Sequence, residues 1–495
     1  MLGEVDRFAR GAELAAVLGN WTQGPGPLYL RLTDALATAA GEGAVQPGER
    51  LPSERELARS LAVSRATVVS AYSELRDRGV LERRQGSGTR VAARGRPPRD
   101  DGRVRGGQGT VIFQRLIDGP GPLISLASAA EDGAPEVADA LRDLARHDIS
   151  GLLADPGYHP RGLPELRQAI AAYYTSLGVP TGAEEVLVTA GAHQALVLVS
   201  DVYLRNPSTV VVEAPSWPPC LDIFRAANAR LVPVPLDDEG IEARQLSAVL
   251  AEHSPGLLYV MPTYHNPAGI LMSADRRRRV AELAARHGVA ILEDNAYADC
   301  GFGDGAEPPP PLAAYTSAAA ETITVGSLKA VWGGLRIGWV RGPAGIIERC
   351  ARRKALADLG SPVIEQALVA RLVPRLGEIA ERRSALRRER CSLLEGLLRE
   401  QLPDWSWRSP DGGSSLWVAL PEGSADVFAQ LALRHGVEVI PGSTMDPTGA
   451  HDGYLRVPFM RPPEELAELV RRLAAAWTEL RRYGPRDYGP LRPVI

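Results

Sequence analysis

Ile323-Thr-Val-Gly-Ser-Leu-Lys329-Ala-Val-Trp-Gly-Gly-Leu-Arg336 is a β-branched run that ends in Gly-Ser, reaches a lysine, and turns through two glycines to an arginine. Lys329 is one of only two lysines; the 56 Lys+Arg less these two leave 54 arginines. A chain so biased toward arginine keeps an amine here, and arginine cannot replace it where a Schiff base is needed. A guanidinium stays protonated and delocalised, whereas an ε-amine can lose its proton in a desolvated site and attack a carbonyl. The other lysine, Lys354 in Arg352-Arg353-Lys354, reads as an ordinary one.

Around this stretch lie 495 residues, enough for two or three domains, with 45% hydrophobic and 5% aromatic content, as in globular α/β proteins. Cys220, Cys300, Cys350 and Cys391 are far apart with no CxxC pair, which argues against a disulfide framework or a zinc site. No signal pattern opens the chain and no apolar run reaches membrane-spanning length, so a cytoplasmic protein without a membrane partner is expected. The net charge of −4 hides an asymmetry. Residues 50–96 hold 11 Arg against 5 Asp+Glu, a surplus of +6, leaving −10 for the remainder. A short basic module on an acidic body points to a polyanion partner for the module alone.

The basic module is readable as elements. Residues 1–27 form an N-terminal extension with a short amphipathic piece and the breaker cluster Trp21-Thr-Gln-Gly-Pro-Gly-Pro27, to which no function is assigned. Leu28, Leu32, Ala35, Leu36 and Ala39 keep a helical period. Ser53-Glu-Arg-Glu56 is a capping box opening a second helix, and Ser64 caps a third whose buried face is Val68, Ala71, Tyr72 and Leu75. The first turn of that third helix presents Arg65 and Thr67, with free N–H groups, to phosphates and base edges. Val80 to Val91 reads as two short strands around Gly86-Ser87-Gly88, a wing. The sequence Leu51-Pro-Ser-Glu-Arg-Glu-Leu-Ala58, the run Val63-Ser-Arg-Ala-Thr-Val68 and the wing resemble the GntR family of bacterial transcription factors over residues 28–92. That resemblance implies a double-stranded DNA partner met by Arg55, Ser64, Arg65, Thr67, Gly86 and Gly88.

Residues 93–110, rich in Gly, Pro and Arg and without hydrophobic period, read as a flexible linker. From 111 the pattern alternates. Glu185–Thr189, Thr209–Glu213, Arg230–Val234, Leu257–Met261, Ala290–Glu293, Thr322–Val325 and Ile337–Val340 read as strands, with helices such as 191–204, 218–227 and 274–286 between them. This predicts a multidomain α/β chain with a largely parallel sheet, whose ligands gather at the strands' carboxyl ends. Long amphipathic helices (363–402, 463–482) and short strands near 414–420 and 453–457 predict a small α+β subdomain, and 483–495 a tail.

Chemistry-bearing residues follow the strands. Asp294 closes Val289-Ala-Ile-Leu-Glu293, with Tyr297 three residues on; Asn266 stands in Met261-Pro-Thr-Tyr-His-Asn266-Pro-Ala-Gly269; Trp217 follows Pro215-Ser. In Thr189-Ala-Gly-Ala-His-Gln194 a strand meets a helix start, where the amides of Ala192 and His193 can bind phosphate. Singly each has an ordinary reading: a helix cap, a turn, a core indole.

Their order, Tyr158, Gly191, Trp217, Asn266-Pro267, Asp294-x-x-Tyr297, Lys329, Arg336, resembles that of fold-type I pyridoxal-phosphate aminotransferases over residues 111–482. The resemblance implies pyridoxal 5′-phosphate as cofactor, Lys329 as its aldimine lysine and catalytic residue, and Asp294 on the pyridine nitrogen. It further implies Asn266 and Tyr297 on the phenolic oxygen, Trp217 stacked on the ring, and Ala192, His193 and Arg336 at the phosphate. Tyr158 resembles the tyrosine that reaches the neighbouring subunit's cofactor in a homodimer, and Arg456 in Tyr454-Leu-Arg-Val-Pro-Phe459 the arginine that grips a substrate carboxylate. One departure stands out: against the family's Ser-x-Ser-Lys, Gly326-Ser-Leu-Lys329 has Gly three residues before the lysine and Leu one before it, so the phosphate-binding serine does not transfer to Ser327.

A GntR-type winged helix tethered to an aminotransferase-like body resembles the MocR-type regulators. The expectation is a transcriptional regulator sensing pyridoxal phosphate or an amino compound. Two alternatives stay open: a working aminotransferase with a DNA-binding head, and a DNA-binding module on an inert scaffold.

Overall fold

The computed structural model describes residues 11–22, 27–41, 43–84, 88–92, 112, 117, 123–129, 131–204, 208–303, 307–316 and 320–483. The N-terminal unit is the expected winged helix: helices Leu28–Gly41, Glu54–Ser60 and Arg65–Asp77, then the hairpin Leu81–Arg84 with Gly88–Val91, in register from Leu81↔Val91 to Arg84↔Gly88. Ser64 Oγ accepts the Thr67 N–H at 3.1 Å and starts the third helix, which buries Val68, Ala71, Tyr72 and Leu75. Gly86, expected in the wing, lies outside the described residues, as do residues 93–110, expected as a linker.

The capping box is half used. Ser53 Oγ accepts the Glu56 N–H at 3.2 Å, but the Glu56 carboxylate takes the Gly11 N–H at 3.2 Å instead of returning to Ser53. That bond ties down the segment the sequence left without a role. Helix Gly11–Leu18 places Leu14, Ala15 and Leu18, followed by Trp21, in the same core as Leu32, Leu57, Val68 and Tyr72. Residues 11–22 are therefore packed into the head, each large side chain so buried contributing ~1.5–3 kcal/mol.

In the body, eight strands lie in the order Val186–Thr189, Gly338–Arg341, Thr322–Ser327, Ala290–Asp294, Leu257–Val260, Ser208–Ala214, Ala229–Asp237, Gly240–Ile241. The five from Thr322–Ser327 to Ala229–Asp237 are mutually parallel; Gly338–Arg341 runs antiparallel to both neighbours, and Gly240–Ile241 closes a hairpin. Several are buried along their whole length, as a sheet covered on both faces requires. Helices 192–203, 218–226 and 344–357 cover one face, and 243–253 and 274–287 the other.

The expected helix 363–402 is broken: Val363–Leu372 passes through a 3-10 turn at Val373–Arg375, where Pro374 supplies no N–H, into Leu376–Gln401. A second, antiparallel sheet orders Ser406–Trp407, Ser415–Ala419, Tyr454–Pro458 and Ile440–Pro441. Helices Ala425–Arg434 and Pro463–Tyr483 cover it, and strand Val437–Glu438 pairs with Ile124–Ser125, so residues 124–125 join this small domain. No helix among the described residues is long and apolar enough to cross a membrane.

Candidate functional site

Register places the candidate residues along one edge of the large sheet. Ser327 pairs with Gly338, which pairs with Thr189; Val325 pairs with Asp294, and Glu293 with Val260. The carboxyl ends of strands 186–189, 208–214, 257–260, 290–294 and 322–327 thus deliver Gly191, Trp217, Asn266, Asp294 and Lys329 to a common crevice. Arg336 arrives from the opposite direction, because it precedes the antiparallel strand Gly338–Arg341.

At its centre Lys329 Nζ donates to the Tyr297 hydroxyl and lies 4.0 Å from that ring's centroid. Burial works to raise the Tyr297 phenol, yet the charges of Lys329 and Arg456 outweigh it, so the phenol sits below its ordinary value. Asp294 is buried at the strand end. Its Oδ1 accepts the Ala296 N–H at 3.0 Å and its Oδ2 the Tyr259 hydroxyl at 2.8 Å. Burial nevertheless pushes this carboxyl above the ordinary range, against those hydrogen bonds and the nearby lysine. On the small-domain side Arg456 is buried, donates from Nε to Asn266 Oδ1 at 3.0 Å and from Nη1 to the Leu126 carbonyl at 3.3 Å, and sits 4.8 Å over the Trp217 ring. Trp217, Asn266, Tyr297, Lys329 and Arg456 therefore form one connected group.

At the other end, Gly191 precedes helix Ala192–Tyr203 with φ +86°, and no side chain caps that helix. The first amides, Ala192 and His193 among them, have no intrahelical acceptor. Arg336 reaches over the turn to the Ala190 carbonyl at 3.2 Å, and a Cβ at residue 191 would stand 3.1 Å from its guanidinium. Desolvation, then the Arg336 charge, hold the His193 imidazole below its usual value. The glycine that opens Gly326-Ser-Leu-Lys329 has a steric cause. Gly326 faces Trp339 across the sheet, and a Cβ there would lie 2.3 Å from the indole, so the motif's first serine has no room. Ser327 Oγ points back to the Ala296 carbonyl at 3.3 Å.

Tyr158 is 68% exposed and is not gathered with Lys329 within the chain. In the head, Arg55 and Arg65 are exposed, on the second helix and at the start of the third. The Thr67 hydroxyl lies 2.9 Å from Ser64 Oγ, so these two side chains share the cap. Gly88 opens the second wing strand with φ +87°, where a Cβ would meet Arg50 at 3.1 Å.

Sequence reading missed Tyr259, the donor to Asp294. It sits inside an unbroken apolar strand, where alternation gives no hint that one hydroxyl turns toward a carboxylate. Arg387 was also missed: wholly buried in the long helix, it grips Glu131 at 2.7 Å and donates to the Asp299 carbonyl at 3.1 Å and the Ala330 carbonyl, next to Lys329, at 3.4 Å. Its neighbours one turn away, Arg383, Ser384, Arg390 and Cys391, give no apolar stripe that could have marked it as buried.

Fold and crevice define a DNA-binding winged helix fused to a fold-type I aminotransferase body. The family of bacterial regulatory proteins, gntR family, matches residues 28–91, and aminotransferase class I and II matches residues 124–473. The Bacillus subtilis protein described as an uncharacterized HTH-type transcriptional regulator, YisV, is 32% identical over 85% of this chain and 90% of its own length. The Thermus thermophilus alpha-aminoadipate aminotransferase LysN, solved with N-(5′-phosphopyridoxyl)-L-leucine, is 29% identical with a TM-score of 0.67, over 75% of this chain and 95% of LysN. The kynurenine aminotransferase of Pyrococcus horikoshii, 26% identical, superposes with a TM-score of 0.68 over 74% of this chain and 93% of its own. The chain belongs to the MocR-type subfamily of the GntR regulators, the group that joins these two modules.

Proposed function

We propose that this chain is a transcriptional regulator whose body binds pyridoxal 5′-phosphate at Lys329 and whose DNA affinity answers to that vitamer or to an amino compound. The observation that carries the reading is one chain holding both an exposed recognition-helix start and an assembled amine, phenol and carboxylate set. The donor set fits the cofactor: a primary amine against a phenol, a buried carboxylate, a helix start without a side-chain cap behind a glycine at φ +86°, and an arginine beside it. When bound, pyridoxal phosphate supplies an aldehyde for Schiff-base exchange with amines and a ring that accepts electrons.

The protein's own part is positional. Lys329 offers its amine and Tyr297 exchanges a proton with it at the phenol oxygen. With the cofactor bound, Asp294 would hold a proton on the ring nitrogen, Trp217 would offer its face to the ring, and Asn266 would donate to the phenolic oxygen. The amides of Ala192 and His193, with Arg336, take the phosphate, and Arg456 takes a carboxylate on the incoming amino compound. In the head, Arg55, Ser64, Arg65 and Thr67, with the wing at Gly86 and Gly88, meet double-stranded DNA. Exposed Leu153, Tyr158, Leu356 and Leu359 support a homodimer face, with Tyr158 directed at the second subunit. A DNA target and four buried free thiols support a cytoplasmic location. We divide the chain into a head at 28–92 with residues 11–22 packed on it, a linker at 93–110, a body at 111–482 and a tail at 483–495.

The test is a visible spectrum and a gel shift. The cofactor-loaded protein is expected to show an absorbance band absent from Lys329→Ala, and to change its affinity for the DNA upstream of its own gene when loaded. A colourless protein in excess cofactor overturns the proposal. One observation favours a second reading, an active transaminase: Lys329, Tyr297, Asp294 and Arg456 stand together as a complete set. Sustained turnover of an amino acid with a 2-oxo acid would establish it.

A further inference from the structure

Head and small domain touch where the helix-turn-helix turns. Arg434, the last residue of helix Ala425–Arg434, donates from Nη2 to the Leu61 carbonyl at 2.9 Å and to the Ala62 carbonyl at 2.7 Å. These two residues connect helix Glu54–Ser60 to the Ser64 cap of the recognition helix. Carbonyls at a helix C-terminus lack intrahelical partners, so a charged donor there fixes the turn as well as touching it. Ala62 adopts φ +50°, a conformation that residues with a Cβ seldom take, and its side chain packs against the small-domain core.

The other side of the contact is equally anchored. His435, next in sequence, is 2.8 Å from Glu479, while the Gly436 carbonyl accepts from Arg472 at 3.1 Å and from the Ile124 N–H at 3.0 Å. The chain then runs through Val437–Glu438 to Ile440, whose register partner on the neighbouring strand is Arg456. The residue proposed to grip the amino compound and the residue that grips the turn are thus held in one small packed sheet-and-helix unit. The recognition tip remains open, since Arg65 and Ala66 are exposed.

We infer that the end of helix Ala425–Arg434 is the docking surface for the head, and that Arg434 is the positioning residue through which occupancy of the Lys329–Arg456 crevice reaches the recognition helix. The coupling half rests on the proposed function; the docking half does not. Displacement of the small domain upon binding then carries the turn with it, because two carbonyls on consecutive residues leave the turn little freedom to stay behind.

The experiment is hydrogen–deuterium exchange on the full-length protein, with and without pyridoxal phosphate, for the wild type, Arg434→Ala and Arg434→Gln. Arg434→Ala is expected to speed exchange in residues 57–67 roughly tenfold, the scale of losing hydrogen bonds from a charged donor, with Val68–Leu75 unchanged. Arg434→Gln, which keeps one amide donor, is expected to fall between. In the wild type the cofactor alters exchange at 57–67 and shifts DNA affinity; in Arg434→Ala both responses are expected to vanish while the visible band remains. Unchanged exchange at 57–67 in Arg434→Ala overturns the docking. Faster exchange with a wild-type cofactor response in DNA binding overturns the coupling. A wild type with no visible band condemns the functional reading, not the docking, which the exchange comparison without cofactor still decides.

Discussion

The chain's two lysines do opposite things. Lys354 is completely buried and donates to Asp358 Oδ1 at 2.6 Å; Asp358 Oδ2 accepts from Gln194 at 3.0 Å, and Gln194 in turn accepts the Ala190 N–H at 2.8 Å. That relay braces the turn at Ala190–Gly191 from behind. Lys329 meets a phenol instead, under a half-open crevice. A carboxylate partner holds an amine in an ion pair, whereas a phenol of raised acidity, readily present as its anion, can take a proton from the amine, which leaves the amine able to attack a carbonyl. Residue type is shared; the partner separates chemistry from architecture.

The sharpest way to break that contrast is to remove each lysine. Lys329→Ala is expected to abolish the visible band in excess cofactor while the cofactor-free protein melts within ~1 kcal/mol of the wild type, because Lys329 is only half-buried and Asp294 keeps the Ala296 N–H and the Tyr259 hydroxyl. Lys354→Ala is expected to do the reverse. It keeps the band but destabilises by ~2 kcal/mol, below the usual range for a broken buried pair because Asp358 is partly solvated. Adding Asp358→Ala should recover part of that loss. A band lost in Lys354→Ala and kept in Lys329→Ala would invert the assignment.

Much of this was legible beforehand, and the reason is local. Strands buried on both faces announce themselves as β-branched runs, and Trp217, Asn266, Asp294 and Lys329 each follow such a run in the order their strands take along the sheet, while Gly191, first in the chain, stands beyond Lys329 at the far side. Tyr259, Arg387 and Arg434 were invisible for the complementary reason. Each acts across a long sequence separation on a partner that no periodicity names: Asp294, Glu131, and the Leu61 and Ala62 carbonyls. The Glu56 carboxylate shows the same limit. Its spacing from Ser53 spelled a capping box, but the N-terminal helix, absent from that local pattern, supplied a competing N–H.

A middle-sized effect tests the floor of the crevice. Gly326→Ser restores the family's more usual residue but drives a Cβ to 2.3 Å from the Trp339 indole, which is itself held by a 2.9 Å bond to Tyr174. Overpacking of this kind is expected to cost about 1–3 kcal/mol, read as a lower melting temperature with weaker cofactor binding. A neutral or tighter-binding variant would show that the strand end can open, and that the glycine at 326 does not depend on the indole.

The smallest expected effect concerns the carboxylate on which both lysine environments converge in logic, a buried charge kept by its partners. Asp294 has a folded-state pKa raised by burial, opposed by the Ala296 N–H, the Tyr259 hydroxyl and Lys329, and reinforced by Glu213. Below the ordinary carboxylate pKa of about 4 the group is neutral folded and unfolded alike, so it costs nothing there; stability is lost as pH rises through the folded value. Tyr259→Phe removes one donor and pushes that value higher still. The deficit of the cofactor-free variant against the wild type is therefore expected to be slight near pH 4 and to grow to about 1 kcal/mol by neutral pH, measured by melting across that range. Cofactor should narrow the neutral-pH gap, since a cationic ring nitrogen gives the carboxylate the partner it lost. A deficit that stays flat with pH would mean Tyr259 serves only as packing beneath the strand, and that Lys329 alone governs the charge at the crevice floor.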